Sequence, residues 1–112
     1  FNPNVNSKPK EMSVEALKIL MESDEKFYLI DVRTIEERQI ANIEGSRMLD
    51  ESLIRSIDET GRNSRLVFFC HSGVRSQEAA RYFFDQGYTD ATNLTGGIDA
   101  WSTDIDSRVP RY

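Results

Sequence analysis

The apolar residues of this chain form short continuous runs that alternate with stretches of helical spacing. Residues 66–69 (Leu-Val-Phe-Phe) are a continuous apolar run typical of a buried strand, and the residues after them carry apolar side chains at helical spacing as far as Gly87. The same pattern predicts further strands at 27–30, 47–49 and 91–94. Further helices are predicted from Val14, from Thr34, over 52–57 and over 98–102.

Polar residues mark where two of these helices begin. Ser13 is positioned as the N-cap of the first helix, and Thr34 and Glu37 have the spacing of a capping box. Alternating strands and helices predict an α/β fold in which a mainly parallel sheet is covered by helices on both faces. Ligands of such sheets bind beyond the carboxyl ends of the strands, where we expect both Asp31 and Cys70.

The only cysteine, Cys70, stands between the strand at 66–69 and the helix that follows it. Unpaired backbone N–H groups and the positive end of the helix dipole stabilise a thiolate in such a place. Gly73 allows the backbone to approach a ligand closely, and Arg75 can turn its guanidinium toward an anion. The loop therefore indicates a nucleophilic thiol in an anion cradle. The alternatives are an inert buried thiol, a solvated Arg75, and Ser72 and Ser76 acting only as helix caps.

The composition and the net charge are typical of a globular protein. The chain has 112 residues, 38% of them hydrophobic and 29% charged, which suits one domain with one core. Its net charge of −5, without a basic block, argues against nucleic acid or an anionic membrane as partner. A single cysteine can form neither an internal disulfide nor a thiolate metal site, so we expect no metal and a reducing, cytoplasmic location. The sequence contains no stretch long enough to span a membrane and no signal-peptide pattern.

The amino-terminal segment differs in character from the rest of the chain. Residues 1–10 are polar and contain two prolines, as in an interdomain linker, so we predict a single domain over 11–112. Such a start suits a domain of a longer protein, and it equally suits a chain with a trimmed end.

Three segments together resemble the rhodanese-like sulfurtransferase domains. They are residues 29–33 (Leu-Ile-Asp-Val-Arg) with the acidic Glu37 after them, residues 70–76 (Cys-His-Ser-Gly-Val-Arg-Ser) and residues 93–101 (Asn-Leu-Thr-Gly-Gly-Ile-Asp-Ala-Trp). The resemblance implies a three-layer α/β fold and covers most of the chain. Residues 41–46 depart from the family's usual Gly-His-Ile-Pro-Gly-Ala, which puts the local loop geometry in question.

The resemblance implies a double-displacement sulfur transfer that needs no cofactor. Cys70 would take the outer sulfur of a donor such as thiosulfate as a persulfide, and cyanide or a thiol would then remove it. Such covalent catalysis needs a nucleophile of low pKa and stabilisation of the developing anions. The backbone of the loop would curl around the sulfur, and Arg75 would fix the curl and attract anions. The implied substrate-binding residues are His71, Ser72, Gly73, Val74, Arg75 and Ser76.

Other residues of the three segments are expected to have structural roles. Asp31 and Arg33 are expected to form an ion pair that supports the loop, and Trp101 is expected to pack in the core. Gly96 and Gly97 most simply permit a tight turn. His71 is left open between a rim position and substrate contact.

Two other functions compete with this interpretation. A cysteine phosphatase or arsenate reductase also uses a thiolate in an anion cradle, but related phosphatase loops place arginine six positions after the cysteine. Here that position is Ser76, and arginine comes one residue earlier. The second alternative is a non-catalytic or sulfur-carrier module within a larger protein. The loop at 70–76 and the ending at 109–112 look similar to those of rhodanese domains fused behind a glutaredoxin-like domain, which suggests a fused or partner redox domain.

Overall fold

Strands and helices alternate along the part of the chain that the computed structural model describes, residues 8–112. The strands are β1 (Lys10–Met12), β2 (Tyr28–Asp31), β3 (Arg47–Met48), β4 (Leu66–Phe69) and β5 (Ala91–Leu94). The helices are α1 (Val14–Met21), α2 (Ile35–Ile40), α3 (Glu51–Thr60), α4 (Val74–Asp85) and α5 (Gly97–Asp104). Among these residues, no helix has the length and apolar character needed to cross a membrane.

All the strands pair in parallel in the order β1-β5-β4-β2-β3, which confirms the predicted parallel sheet. The most apolar strand, β4, lies at the centre between β5 and β2. The edge strand β1 was not predicted, because its sequence Lys-Glu-Met has no apolar run. Lys10 of β1 pairs with Thr92 although it belongs to the predicted linker, and residues 1–7 of that linker lie outside the described residues.

Helices cover both faces of the sheet, as the sequence predicted. Successive side chains of β4 point to opposite faces, so Val67 and Phe69 enter one core while Leu66 and Phe68 enter the other. The first core is closed by residues of α1 and α5, and Trp101 of α5 packs there as expected. The second core is closed by α3 and α4. The result is a three-layer α/β fold.

The helix starts follow from polar caps. The Ser13 hydroxyl accepts a hydrogen bond from the Ala16 N–H at 3.1 Å, and Thr34 and Glu37 form the predicted capping box. Helix α3 begins one residue earlier than predicted, because the Asp50 carboxylate caps it by accepting from the Leu53 N–H at 2.8 Å.

Asp31, at the carboxyl end of β2, is fully buried and ion-paired. The Arg33 guanidinium donates to both of its carboxylate oxygens, at 3.0 and 2.8 Å, which confirms the predicted pair. The Arg38 guanidinium adds a third contact at 3.0 Å. Breaking such a pair leaves an uncompensated charge in the interior, so both partners are required once one is buried.

The same two arginines organise residues 41–46, where the sequence departs from the family pattern. Arg33 donates to the Ala41 carbonyl at 2.7 Å, and Arg38 donates to the Ser46 carbonyl at 2.8 Å. The Ser46 hydroxyl in turn donates to the Ile43 carbonyl at 2.6 Å. Guanidinium and hydroxyl groups therefore satisfy three carbonyls of this loop.

We predict that Asp31→Asn lowers the free energy of unfolding by about 3 kcal/mol, because Arg33 keeps its charge in the core without a carboxylate. The matched control is Asp106→Asn. Asp106 and Arg108 make the same set of hydrogen bonds at the same spacing, but the Arg108 side chain is 90% exposed. Urea unfolding would compare the variants. Equal losses of stability would show that burial of the pair is unimportant.

Candidate active site

The Cys70 thiol lies where the central strand ends and helix α4 begins. Gly73 is the N-cap of α4, with a φ of 105°, and no side chain caps the helix. The alternative that Ser72 or Ser76 is the helix cap is therefore wrong. A Cβ at Gly73 would lie 3.3 Å from the Gly96 backbone nitrogen, so the turn needs glycine for both its φ and its close packing.

Hydrogen-bond donors surround the sulfur of Cys70, a residue that is 1% exposed. The Gly73 N–H donates to Sγ at 3.1 Å, and the Ser76 hydroxyl lies 3.3 Å from Sγ. Burial raises the pKa of the thiol, but hydrogen bonds from the Ser76 hydroxyl and from the N–H groups of Ser76, Gly73 and Ser72 outweigh it, so the pKa lies below its ordinary value. The site favours a thiolate.

The outer side of the loop is held by the first turn of α5. The Ile98 N–H donates to the Cys70 carbonyl at 2.9 Å, and the Asp99 N–H donates to the His71 carbonyl at 3.0 Å. These are N–H groups that a helix start leaves without intrahelical partners. A Cβ at Gly97 would lie 2.4 Å from the Cys70 carbonyl oxygen, so Gly97 permits this approach in addition to the expected turn.

The rim of the loop carries a network of charged groups. Both terminal nitrogens of Arg75 donate to Glu37 on α2, at 2.7 and 2.9 Å. The pairing with Arg75, aided by Tyr112, holds the pKa of Glu37 well below its ordinary value, and it raises the pKa of Arg75. Arg75 therefore faces the loop entrance as half of an ion pair with Glu37.

Tyr112 contacts this network through both its ring and its hydroxyl. The ring stacks on His71 with centroids 4.2 Å apart, and the hydroxyl donates to Glu37 at 2.7 Å. Arg33 donates to the same hydroxyl at 3.0 Å. This places His71 at the rim, in contact with an aromatic side chain. Sequence patterns gave no sign of the contact, because His71 and Tyr112 belong to different segments.

The loop residues predicted to bind substrate are brought together around the thiol. Ser76 is buried beside Sγ, whereas Ser72 and Val74 are exposed at the rim. Asn93, which the sequence placed in a strand and in the third family-like segment without a role at the site, also reaches the loop, with its side-chain amide against Ser76 and Gly73. Residues 8–112 contain no group of three or more His, Cys, Asp or Glu side chains that could hold a metal ion.

A surface depression of about 920 Å³ lies away from this site. Its lining includes Tyr28 and Arg65, at the amino ends of β2 and β4. Cys70 follows the opposite, carboxyl end of β4, so the depression takes no part in the chemistry of the thiol.

Residues 13–104 match the family model of the rhodanese-like domain. The chain belongs to the rhodanese-like domain family. It is 38% identical over 95 residues to the putative sulfurtransferase YtwF of Bacillus subtilis, a match that covers 82% of this chain and 89% of that protein. It is 36% identical over 100 residues to the putative sulfur carrier protein YrkF of the same organism, covering 88% of this chain and 54% of that protein.

The fold agrees with the family assignment. The human single-domain sulfurtransferase TSTD1 superposes with a TM-score of 0.67 and 25% identity, covering 84% of this chain and 96% of that one. This rhodanese-like domain is thus homologous to sulfurtransferases and to sulfur-carrier modules. The chain spans between about a quarter and about half of the length of the first curated relatives that it matches.

We predict that Gly97→Ala reduces the alkylation rate of Cys70 by about tenfold or more, because the new Cβ pushes the loop carbonyls from α5 and displaces the thiol. Gly45→Ala is the matched control. Gly45 also has a positive φ, 87°, but a Cβ there meets nothing within 4 Å. Alkylation kinetics with urea unfolding would separate the two effects. Equal alkylation rates in the two variants would contradict the role given to Gly97.

Proposed function

We propose that this domain is a sulfurtransferase that works through a persulfide of Cys70. The thiolate attacks the outer sulfur of thiosulfate, the sulfur–sulfur bond of the donor breaks, and sulfite leaves with the electron pair. A thiolate or cyanide then attacks the outer sulfur of the persulfide, and the Cys70 thiolate is released. The observation that carries the proposal is the Cys70 sulfur set against the Gly73 N–H and the Ser76 hydroxyl.

The surroundings of the thiol suit both steps of this reaction. Donors directed at Sγ stabilise the thiolate before attack and again when it is the leaving group. A persulfide carries its outer sulfur one bond beyond Sγ. The acceptor attacks this outer sulfur, and the donors at Sγ then stabilise the departing thiolate.

The first test is a mass spectrum of the intact protein after incubation with thiosulfate. We expect a gain of one sulfur atom that cyanide removes, and no gain in Cys70→Ser, because Cys70 is the only thiol. An unaltered mass in the wild-type protein would contradict sulfur transfer from thiosulfate. Hydrolysis of an aryl phosphate by the wild-type protein, lost in Cys70→Ser, would favour the phosphatase alternative instead.

The role proposed for Arg75 is to attract and orient the anionic donor at the rim. Its remaining N–H groups are available to a donor while Glu37 holds the planar fork in place. A lysine keeps the charge but is a single point that cannot bind Glu37 bidentately and the donor together.

We predict that Arg75→Lys lowers kcat/KM for thiosulfate about tenfold, because the bidentate geometry is lost. Arg81→Lys, on the same helix and away from the loop, is the control for a general effect of the substitution. Steady-state assays with thiosulfate and cyanide would measure both. Wild-type kinetics in Arg75→Lys would reduce Arg75 to a surface charge.

A sulfur-carrier module is the second candidate, and the similarity to a putative sulfur carrier protein favours it. A carrier would form the same persulfide but pass the sulfur to a protein thiol rather than to cyanide. Comparing turnover with cyanide and with a thioredoxin-type dithiol would separate the two functions. In either case, the partners that we propose are a small sulfur donor and a thiol acceptor in a reducing, cytoplasmic environment, including a fused or partner redox domain.

A further inference from the structure

Asn93, near the carboxyl end of β5, connects the strand to two residues that touch the Cys70 sulfur. Asn93 is buried, with an exposed fraction of 3%. The Ser76 hydroxyl donates to Oδ1 at 2.6 Å, and Nδ2 donates to the Gly73 carbonyl at 3.1 Å. Nδ2 also donates to Glu11 of β1, at 3.1 and 3.4 Å. One amide group thus holds the loop at two points.

The orientation of this amide follows from its partners. The Glu11 carboxylate and the Gly73 carbonyl can only accept hydrogen bonds, so the NH₂ group must face both of them. Oδ1 is then directed at Ser76, whose hydroxyl can supply the proton. The reversed amide would set oxygen against two acceptors, and it is therefore excluded.

We propose that Asn93 is a positioning residue for the Cys70 thiolate, because it anchors two of the residues that donate to Sγ, Gly73 and Ser76. Through the Gly73 carbonyl it fixes the turn whose N–H points at the sulfur. Through Oδ1 it fixes the rotamer of Ser76, whose oxygen lies 3.3 Å from Sγ. This inference deepens the proposed function, since it assigns the residue that prepares the nucleophile.

Asn93 also competes with the Cys70 sulfur, because the Ser76 hydroxyl has only one proton to donate. A hydroxyl donates one proton, so a full bond to Oδ1 weakens the bond to Sγ. The proton turns toward sulfur when the thiolate forms, because a bond to a charged acceptor is the stronger one. Loss of Asn93 removes this competition, but it also releases Ser76 and Gly73 from their anchors. The proposal requires that the second effect is larger.

Charged groups surround the thiol on several elements, and none of them changes when Asn93 is replaced by a neutral residue. Arg75 on α4 pairs with Glu37 on α2, and Glu11 on β1 reaches the site only through Asn93. Other ionisable groups near the loop include His71 in the loop itself, Tyr112 stacked on it, Asp99 on α5, Asp31 at the end of β2 and Arg33 after it. A pKa change in Asn93→Ala therefore reports mainly on hydrogen bonding.

The test is the rate of Cys70 alkylation by iodoacetamide as a function of pH. We expect the wild-type midpoint below the model-thiol value of ~8.5, since the pKa of Cys70 is lowered. In Asn93→Ala the midpoint should rise by about one pH unit, which means roughly tenfold less thiolate at a given acidic pH. Thr92→Ala is the matched control. Thr92 lies on the same strand and is equally buried, but its hydroxyl bonds to the Asp90 carbonyl.

The proposal is overturned if the midpoint in Asn93→Ala equals that of Thr92→Ala, or if it falls below the wild-type value. The double variant Ser76→Ala/Asn93→Ala tests the hydrogen bond from Asn93 to the Gly73 carbonyl by itself, because Ser76 no longer contributes. Its alkylation midpoint should exceed that of Ser76→Ala alone. If Asn93→Ala does not fold, the nearly isosteric and neutral Asn93→Leu replaces it and should also raise the midpoint. An unchanged midpoint there would equally overturn the proposal.

Alkylation needs no sulfur donor, so the midpoint does not depend on whether the domain transfers sulfur. A raised midpoint in a protein that forms no persulfide would support Asn93 as a positioning residue and contradict sulfur transfer. Persulfide formation with an unchanged midpoint would support sulfur transfer and contradict the role of Asn93.

Discussion

The hydrogen bonds between α5 and the carbonyls of the cysteine loop are the contacts on which the site depends. A peptide loop that turns its N–H groups inward to an anion must turn its carbonyls outward, and each outward carbonyl needs a donor. The Ile98 and Asp99 N–H groups supply these donors to Cys70 and His71. Because the donors belong to the start of a helix, they have no competing partner inside that helix.

This requirement explains why the last strand, turn and helix belong to the active site although they contain no reactive group. The parallel sheet brings the end of β5 beside the end of β4, so α5 begins next to the loop. The approach is close enough that Gly97 cannot carry a side chain. Asn93 holds the same loop from the strand side, so donors and acceptors of β5 and α5 together fix its shape.

The exposed ion pair at the rim has a different role from the buried hydrogen bonds around the thiol. Exposed ion pairs contribute little to stability, because water competes for both partners. The pair of Arg75 with Glu37 is therefore better understood through its effect on the entrance, where it fixes a planar set of donors and offsets their charge. The guanidinium at the rim is thus partly neutralised, and its orientation is fixed by Glu37.

Local patterns predicted much of this structure, and most of the contacts they missed are between distant segments. Four strands and the starts of α1 and α2 came from apolar runs and caps, and the position of Cys70 followed from its neighbours. Strand β1 was missed, because an exposed edge strand of three residues carries no periodic signal. The contacts of Asn93 with Ser76, and of Tyr112 with His71, join residues far apart in the chain, and such pairs leave no pattern in a single sequence.

The size of the loop favours a bound sulfur atom over a bound phosphoryl group. A phosphoryl group needs donors for three oxygens spread around the phosphorus, whereas a persulfide needs them for one terminal sulfur. Here the donors to Sγ come from Ser72, Gly73 and Ser76, all close to the start of α4, and they converge on one atom. Arg75, which would have to complete a phosphate cradle, is instead paired with Glu37 on α2 through both of its terminal nitrogens. The donors described here therefore converge on the Cys70 sulfur alone.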